Sequence, residues 1–224
     1  MSVPASAAAR SLILGRIRDI LGERTAACDL AYQSIARGYQ GAATLTSSAC
    51  LDLLEDRLRD YQVAVHRCDP GSLPGVIGEI LNARGAQRMI VPSDIDRGWL
   101  PAGVEFAPDH GLPYSDLDHC DGVLTACSLA IASTGTIALR HARGEGRRAL
   151  TLIPDYHLCV VLGAQIVQTV PEAIRRLAAL QPALVTTISG PSATADIEMT
   201  RIRGVHGPRT LGVILVTDNP GRAA

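Results

Sequence analysis

From Val63 onward, short apolar runs alternate with stretches of helical periodicity, and this alternation constrains the fold more than any other feature. Val63-Ala64-Val65-His66 is strand-like, Leu73 to Arg84 carries Val76, Ile77, Ile80 and Leu81 on one helical side, and Gln87 to Val91 is strand-like again. Gly85 stands where that helix should stop. Strand-like runs recur at Gly122–Ala126, Ile137–Leu139, Tyr156–Leu162, Ala183–Val185 and Leu211–Val216, with a helix expected over Val170–Leu180. Val104-Glu105-Phe106 is at most a short strand. Strands spaced by helices predict an α/β domain built around a mostly parallel, twisted sheet with flanking helices.

The N-terminal part reads differently. Ala5–Leu21 is helical, with Leu12, Ile13, Ile17, Ile20 and Leu21 at helical spacing; Ala27–Gly38 is moderately so, and Ser47–Tyr61 clearly so. In the last of these, Leu51, Leu54 and Leu58 form a stripe beside Asp52, Glu55, Asp56, Arg57 and Arg59. The expected division is a helical segment, 1–60, packed on an α/β domain, 61–224.

Composition narrows the function. The 224 residues carry a formal net charge of -1, with one Phe, one Trp and five Tyr, so neither a basic face nor stacking platforms for nucleic acid are available. All 21 basic residues are arginine. Without lysine, Schiff-base, pyridoxal-phosphate and P-loop mechanisms fall away, because arginine stays protonated and cannot replace the amine. The six cysteines, at 28, 50, 68, 120, 127 and 159, form no CxxC and match neither a zinc nor an iron–sulfur ligand run, so no metal site is assigned. No apolar run approaches the about 18 residues of a membrane span. The protein is expected to be cytoplasmic with reduced thiols.

Chemistry-bearing residues gather late in the chain. Thr187 to Glu198, followed by Gly204-Val205-His206-Gly207-Pro208, brings hydroxyls, two carboxylates, a histidine and glycines together in the order strand, turn, short helix, loop. Ser189, Gly190, Ser192 and Thr194 could present hydroxyls and backbone N–H groups to an anion; equally, Ser192 or Thr194 could simply cap the helix. Asp196 and Glu198 are candidates for base or nucleophile, and His206 for proton transfer, since its unperturbed pKa lies near neutrality. Asp196 could instead fix the following loop by accepting backbone N–H groups. Upstream, Thr134-Gly135-Thr136 is a small hydroxyl turn between strands, and the loop Arg140–Arg148 offers Arg143 or Arg147 to close over a carboxylate. The three segments are expected to converge on one pocket, with Gly207 lining it.

Ser189–Glu198 (SGPSATADIE) and Gly204–Pro208 (GVHGP), with Ala132–Leu139 (ASTGTIAL) and Ile153–Val161 (IPDYHLCVV) before them, resemble the signatures of the LUD-domain family. The resemblance runs from about Gly85 to Val216. It implies a fold of the NagB/RpiA/CoA-transferase-like kind and a part in lactate utilisation. That part would be an accessory or substrate-handling role in oxidising L-lactate to pyruvate beside iron–sulfur partner subunits, with no cofactor on this chain. Fold kinship does not transmit a reaction. A stand-alone enzyme on an anionic metabolite, such as a phosphate ester or acyl-CoA, and a ligand-binding regulatory module are the alternatives.

Overall fold

A computed structural model describes residues 4–22, 26–39, 43–180, 184–194, 202–203 and 207–217. The chain divides into two compact units, Met1–Tyr39 and Gln40–Ala224. The first holds α1 (Pro4–Leu21) and α2 (Ala26–Gln33). Gly22 closes α1, its N–H donating to the Arg18 carbonyl at 2.9 Å. After α2, the Arg37 guanidinium donates to the carbonyls of Tyr32 and Ile35, both at 3.1 Å.

The third helix, α3 (Ser47–Asp60), lies in the larger unit. Thr46 caps it, accepting from the Ala49 N–H at 3.2 Å. Cys50, Leu51, Leu54 and Leu58 form its buried stripe. Between them Glu55, also buried, accepts from Arg59 and from Arg67 of β1 (Ala64–Cys68), while Asp52 accepts from Arg67 at 2.8 Å. An ion-pair cluster thus ties helix to strand.

The main sheet has six strands, all pairs parallel, in the order β1-β12-β7-β4-β2-β3. Its other members are β2 (Arg88–Pro92), β3 (Glu105–Asp109), β4 (Gly122–Thr125), β7 (Tyr156–Leu162) and β12 (Thr210–Val216). Between β1 and β2 runs α4 (Leu73–Ala83), which ends where Gly85 adopts a left-handed φ of 68° and Ala86 donates to the Leu81 carbonyl. A short α5 (Tyr114–Asp118) precedes β4. The central strands β7 and β12 are buried on both faces, as the near-continuous apolar runs require. Their side chains alternate between two cores. Cys159, Val161, Leu211, Val213 and Leu215 face α3, whereas Tyr156, Leu158, Val160, Ile214 and Val216 face Leu73, Ile77 and Leu81 of α4.

A second sheet of four strands packs over the first core in the order β8-β5-β6-β9. It comprises β5 (Leu129–Ile131), β6 (Thr136–Leu139), β8 (Ile166–Val167) and β9 (Thr186–Ile188). Only β5 and β8 run parallel in it; β6 pairs antiparallel with both β5 and β9. On its other side lies α6 (Val170–Ala178), capped by Thr169 accepting from Glu172 N–H while Glu172 accepts from the Gln168 N–H at 3.1 Å.

Two expectations are corrected. Of the strand expected over 183–185, the described residues Leu184 and Val185 are not part: Leu184 is 85% exposed, and the strand begins at Thr186, where pairing with Leu139 starts. Ser192 does not cap a helix, since β10 (Ala193–Thr194) follows it and pairs antiparallel with β11 (Ile202–Arg203); a helix starting after Thr194 would lie outside the described residues.

Leu54 is fully buried between α3 and the two sheets. Leu54→Ala should cost about 2–5 kcal/mol in urea unfolding, the transfer loss plus the cavity. The Asp109–Arg147 pair makes a second prediction. Burial raises the Asp109 carboxyl, but hydrogen bonds from Arg147 and from the Leu112 and Gly111 N–H groups outweigh it and hold the group below its ordinary range. Its contribution is therefore complete above the ordinary aspartate range and is lost as pH falls through the depressed folded value. Asp109→Asn should destabilise by about 1–3 kcal/mol at neutral pH, and the difference from the parent should shrink as unfolding is measured in acid.

Candidate functional site

Where β9 ends, the chain turns sharply at Gly190, whose φ is 87° and where an added Cβ would meet the Tyr61 side chain at 2.7 Å. Only glycine fits there. The turn then approaches the loop before β12, Ser192 N–H donating to the Pro208 carbonyl at 2.9 Å. Together they border a cleft of ≈ 250 Å³. Its walls are Thr186–Ser192 and Gly207-Pro208, and its remaining lining comes from Arg148, Thr151, Leu211 and His157. Because His157 and Leu211 stand at the amino ends of β7 and β12, and Thr186–Ser189 belongs to β9 and its exit, the cleft opens between the two sheets.

The expected residues distribute as follows. Ser189, Gly190, Ser192 and Gly207 line the cleft. Thr134, Thr136 and Ser189 form a chain of hydroxyls, each step 2.8 Å, but the Thr134–Thr136 turn is outside the lining. Gly135 has φ 62°, and a Cβ on it would lie 2.8 Å from the Arg57 Cβ, so the turn is shaped by close packing under α3. Thr194 is in β10. Asp196, Glu198 and His206 lie outside the described residues.

Neither arginine singled out in the Arg140–Arg148 loop borders the cleft. Arg147 is held by Asp109, with contacts of 2.7 and 3.1 Å, and by the Leu112 carbonyl at 2.5 Å. Arg143 is exposed and outside the lining. The arginine at the cleft is Arg148, whose Nη1 donates to the Thr151 carbonyl at 2.7 Å and to its hydroxyl at 3.0 Å. Among the described residues no carboxylate pairs with it. The loop itself is rigidly organised. Buried Glu145 accepts from Ser128 Oγ at 2.6 Å and from the Arg140 N–H at 2.5 Å, and His141 bonds Gly146 O and Thr186 Oγ1 through its two ring nitrogens.

The residue that motif spacing did not single out is His157. It is 1% exposed, its Nε2 lies 2.7 Å from Thr125 Oγ1, and its Nδ1 has no hydrogen-bond partner. Behind it on the same face of β7 sits Cys159, paired with Cys127 of the loop after β4. The hydrogen bond between the two thiols raises Cys127, as burial also does, and lowers Cys159, which His157 and Thr125 lower further. The sequence held one signal for His157: a lone polar residue opening an otherwise apolar buried strand.

A second cavity, ≈ 720 Å³, lies at the carboxyl ends of β1, β7 and β12 and is lined by Ser47, Arg67, Trp99, Leu162 and Val216 among others. Its arginine, Arg67, is already held by Asp52 and Glu55.

The LUD domain model matches residues 113–216, which contain every described lining residue of the smaller cleft. Over 219 residues the chain is 42% identical to Lactate utilization protein C of Deinococcus radiodurans, spanning 96% of this chain and 99% of that protein. It is 34% identical over 188 residues to Lactate utilization protein C of Shouchella clausii, spanning 76% and 82% respectively. A crystal structure of a DUF162 family protein from Deinococcus radiodurans superposes with a TM-score of 0.68 at 42% identity, covering 77% of this chain and 99% of that one. With a near-full-length relative at this identity, the chain belongs to the LUD-domain family.

Proposed function

We propose that this chain is the substrate-handling subunit of a lactate-utilisation system, presenting L-lactate for oxidation to pyruvate by partner subunits that carry iron–sulfur centres. One observation carries the reading. Segments through which the chain resembles its family, in β7, in the turn after β9 and in the loop before β12, supply the walls of one small polar cleft. Its relatives are named for lactate utilisation. A cavity of ≈ 250 Å³ falls below the about 300–1,000 Å³ usual for drug-sized ligands, which favours a three-carbon acid over a CoA ester.

Oxidising lactate removes two electrons and two protons, so an acceptor is required. In this reading the electrons pass to the iron–sulfur partners. This chain then contributes binding, orientation and exclusion of water. No described helix is long and apolar enough to cross a membrane, and the proposed place of work is the cytoplasm. The larger cavity favours a second reading, a stand-alone enzyme on an acyl-CoA or phosphate ester, because ligands of α/β sheets collect at strand carboxyl ends.

Reconstitution separates the two. Iron–sulfur subunits of the system, supplied with L-lactate and a dye as terminal acceptor, should reduce the dye only when this chain is added. Thr187 is an exposed wall residue, so Thr187→Trp should fill the cleft without unfolding the protein. The rate should fall about tenfold, equivalent to about 1.4 kcal/mol of transition-state stabilisation. Full-rate reduction without this chain would sink the proposal, and a thermal midpoint raised by CoA esters but not by lactate would favour the second reading.

A further inference from the structure

Under the floor of the smaller cleft, His157, Thr125, Cys159 and the Ala126 carbonyl stand in a line. The line terminates at the Ala126 carbonyl, which can only accept. Cys159 Sγ lies 3.8 Å from that oxygen and 3.9 Å from the Val160 carbonyl, and both carbonyls can only accept. The sulfur is left to accept from Thr125 Oγ1, 4.0 Å away. Thr125 Oγ1 also lies 2.7 Å from His157 Nε2, and with its hydrogen turned to sulfur the hydroxyl would accept from that nitrogen. A neutral imidazole has one N–H. Placed on Nε2, it leaves Nδ1 as a bare lone pair.

That lone pair is buried and unpartnered on a residue that borders the cleft. A buried acceptor without a donor is costly, and a ligand that donates is what relieves it. At the same cleft, Arg148 uses Nη1 on Thr151, while its Nε and Nη2 meet no acceptor among the described residues. A guanidinium edge with two N–H groups matches a carboxylate in shape and charge.

We infer that the cleft selects a small 2-hydroxy carboxylate over its keto and deoxy analogues, with Arg148 taking the carboxylate and His157 Nδ1 accepting the hydroxyl hydrogen. The inference rests on the substrate-handling reading above and supplies the basis of its selectivity. Thr125 and Cys159 are positioning residues, acting on the ligand only through the tautomer of His157. A keto acid offers an oxygen lone pair where Nδ1 needs a hydrogen, so the oxidised product is held more weakly than the substrate. A deoxy acid keeps the carboxylate contact and loses the other.

The test uses the full chain with uniformly nitrogen-15-labelled histidine, and L-lactate, pyruvate and propionate as probes. In the free protein, NMR should show His157 protonated at Nε2 and bare at Nδ1, and L-lactate should perturb the Nδ1 resonance. By calorimetry L-lactate should bind about tenfold or more tightly than propionate or pyruvate. Arg148→Gln should weaken L-lactate and propionate alike, leaving their ratio intact. Thr125→Val should collapse the ratio, and Thr125→Ser should restore it, which a purely structural role for Thr125 would not produce. A free protein protonated at Nδ1, or equal affinities for L-lactate and propionate, would overturn the inference. If those results came with lactate-dependent dye reduction that still required this chain, the proposed function would stand while this selectivity mechanism fell.

Discussion

The parallel pairing of β7 with β12, seven residues in register from Tyr156↔Thr210 to Leu162↔Val216, is the constraint on which the rest of the structure depends. Both strands are buried on both faces, so each must supply two cores at once. One face meets α4; the other meets α3 and the four-stranded sheet. The side-chain period of two leaves no freedom in which residue goes where, and a slip by one would exchange the faces. His157, the second residue of β7, therefore has to point toward the second sheet. That is why a buried imidazole stands at the floor of the cleft.

Two loops then complete the site by different physics. The turn after β9 is set by a steric requirement: Gly190 adopts positive φ against Tyr61, and Ser192 reaches the Pro208 carbonyl. The loop before β7 is set by charge and hydrogen bonding. Glu145, buried and accepting from Ser128 and Arg140, folds the loop back on itself, and Arg147 locks onto Asp109. With Arg147 committed, Arg148 is the next cation in the loop and the one that borders the cleft. Neighbouring arginines thus have opposite roles, one holding the scaffold and the other offered to solvent and ligand.

Much of the scaffold was legible in the sequence. Periodicity located α3, α4, β7 and β12 within a residue or two, and the glycine at position 85 marked the end of its helix. Boundaries failed where local pattern and pairing disagreed. The apolar run 183–185 looked like a strand, but pairing with β6 begins only at Thr186, and Leu184 is left 85% exposed. The hydroxyl at Ser192 looked like a helix cap, yet the backbone at Ala193-Thr194 pairs across to Ile202-Arg203 instead. Small polar residues carry too little pattern to decide between a cap and a short ladder.

What the sequence determined by itself is the class of the fold, the buried central strands and the absence of lysine chemistry. These follow from composition and from periodicity, which are local or additive properties of the chain. Tertiary structure alone decided which side chains meet. Thr125 and His157 are 32 residues apart, and only the lateral order of β4 beside β7 brings their oxygen and nitrogen to 2.7 Å. Likewise Arg147 finds Asp109 across 38 residues, because β3 lies at the edge of the sheet on that side. Strand order and register are non-local, and no spacing along the chain encodes them.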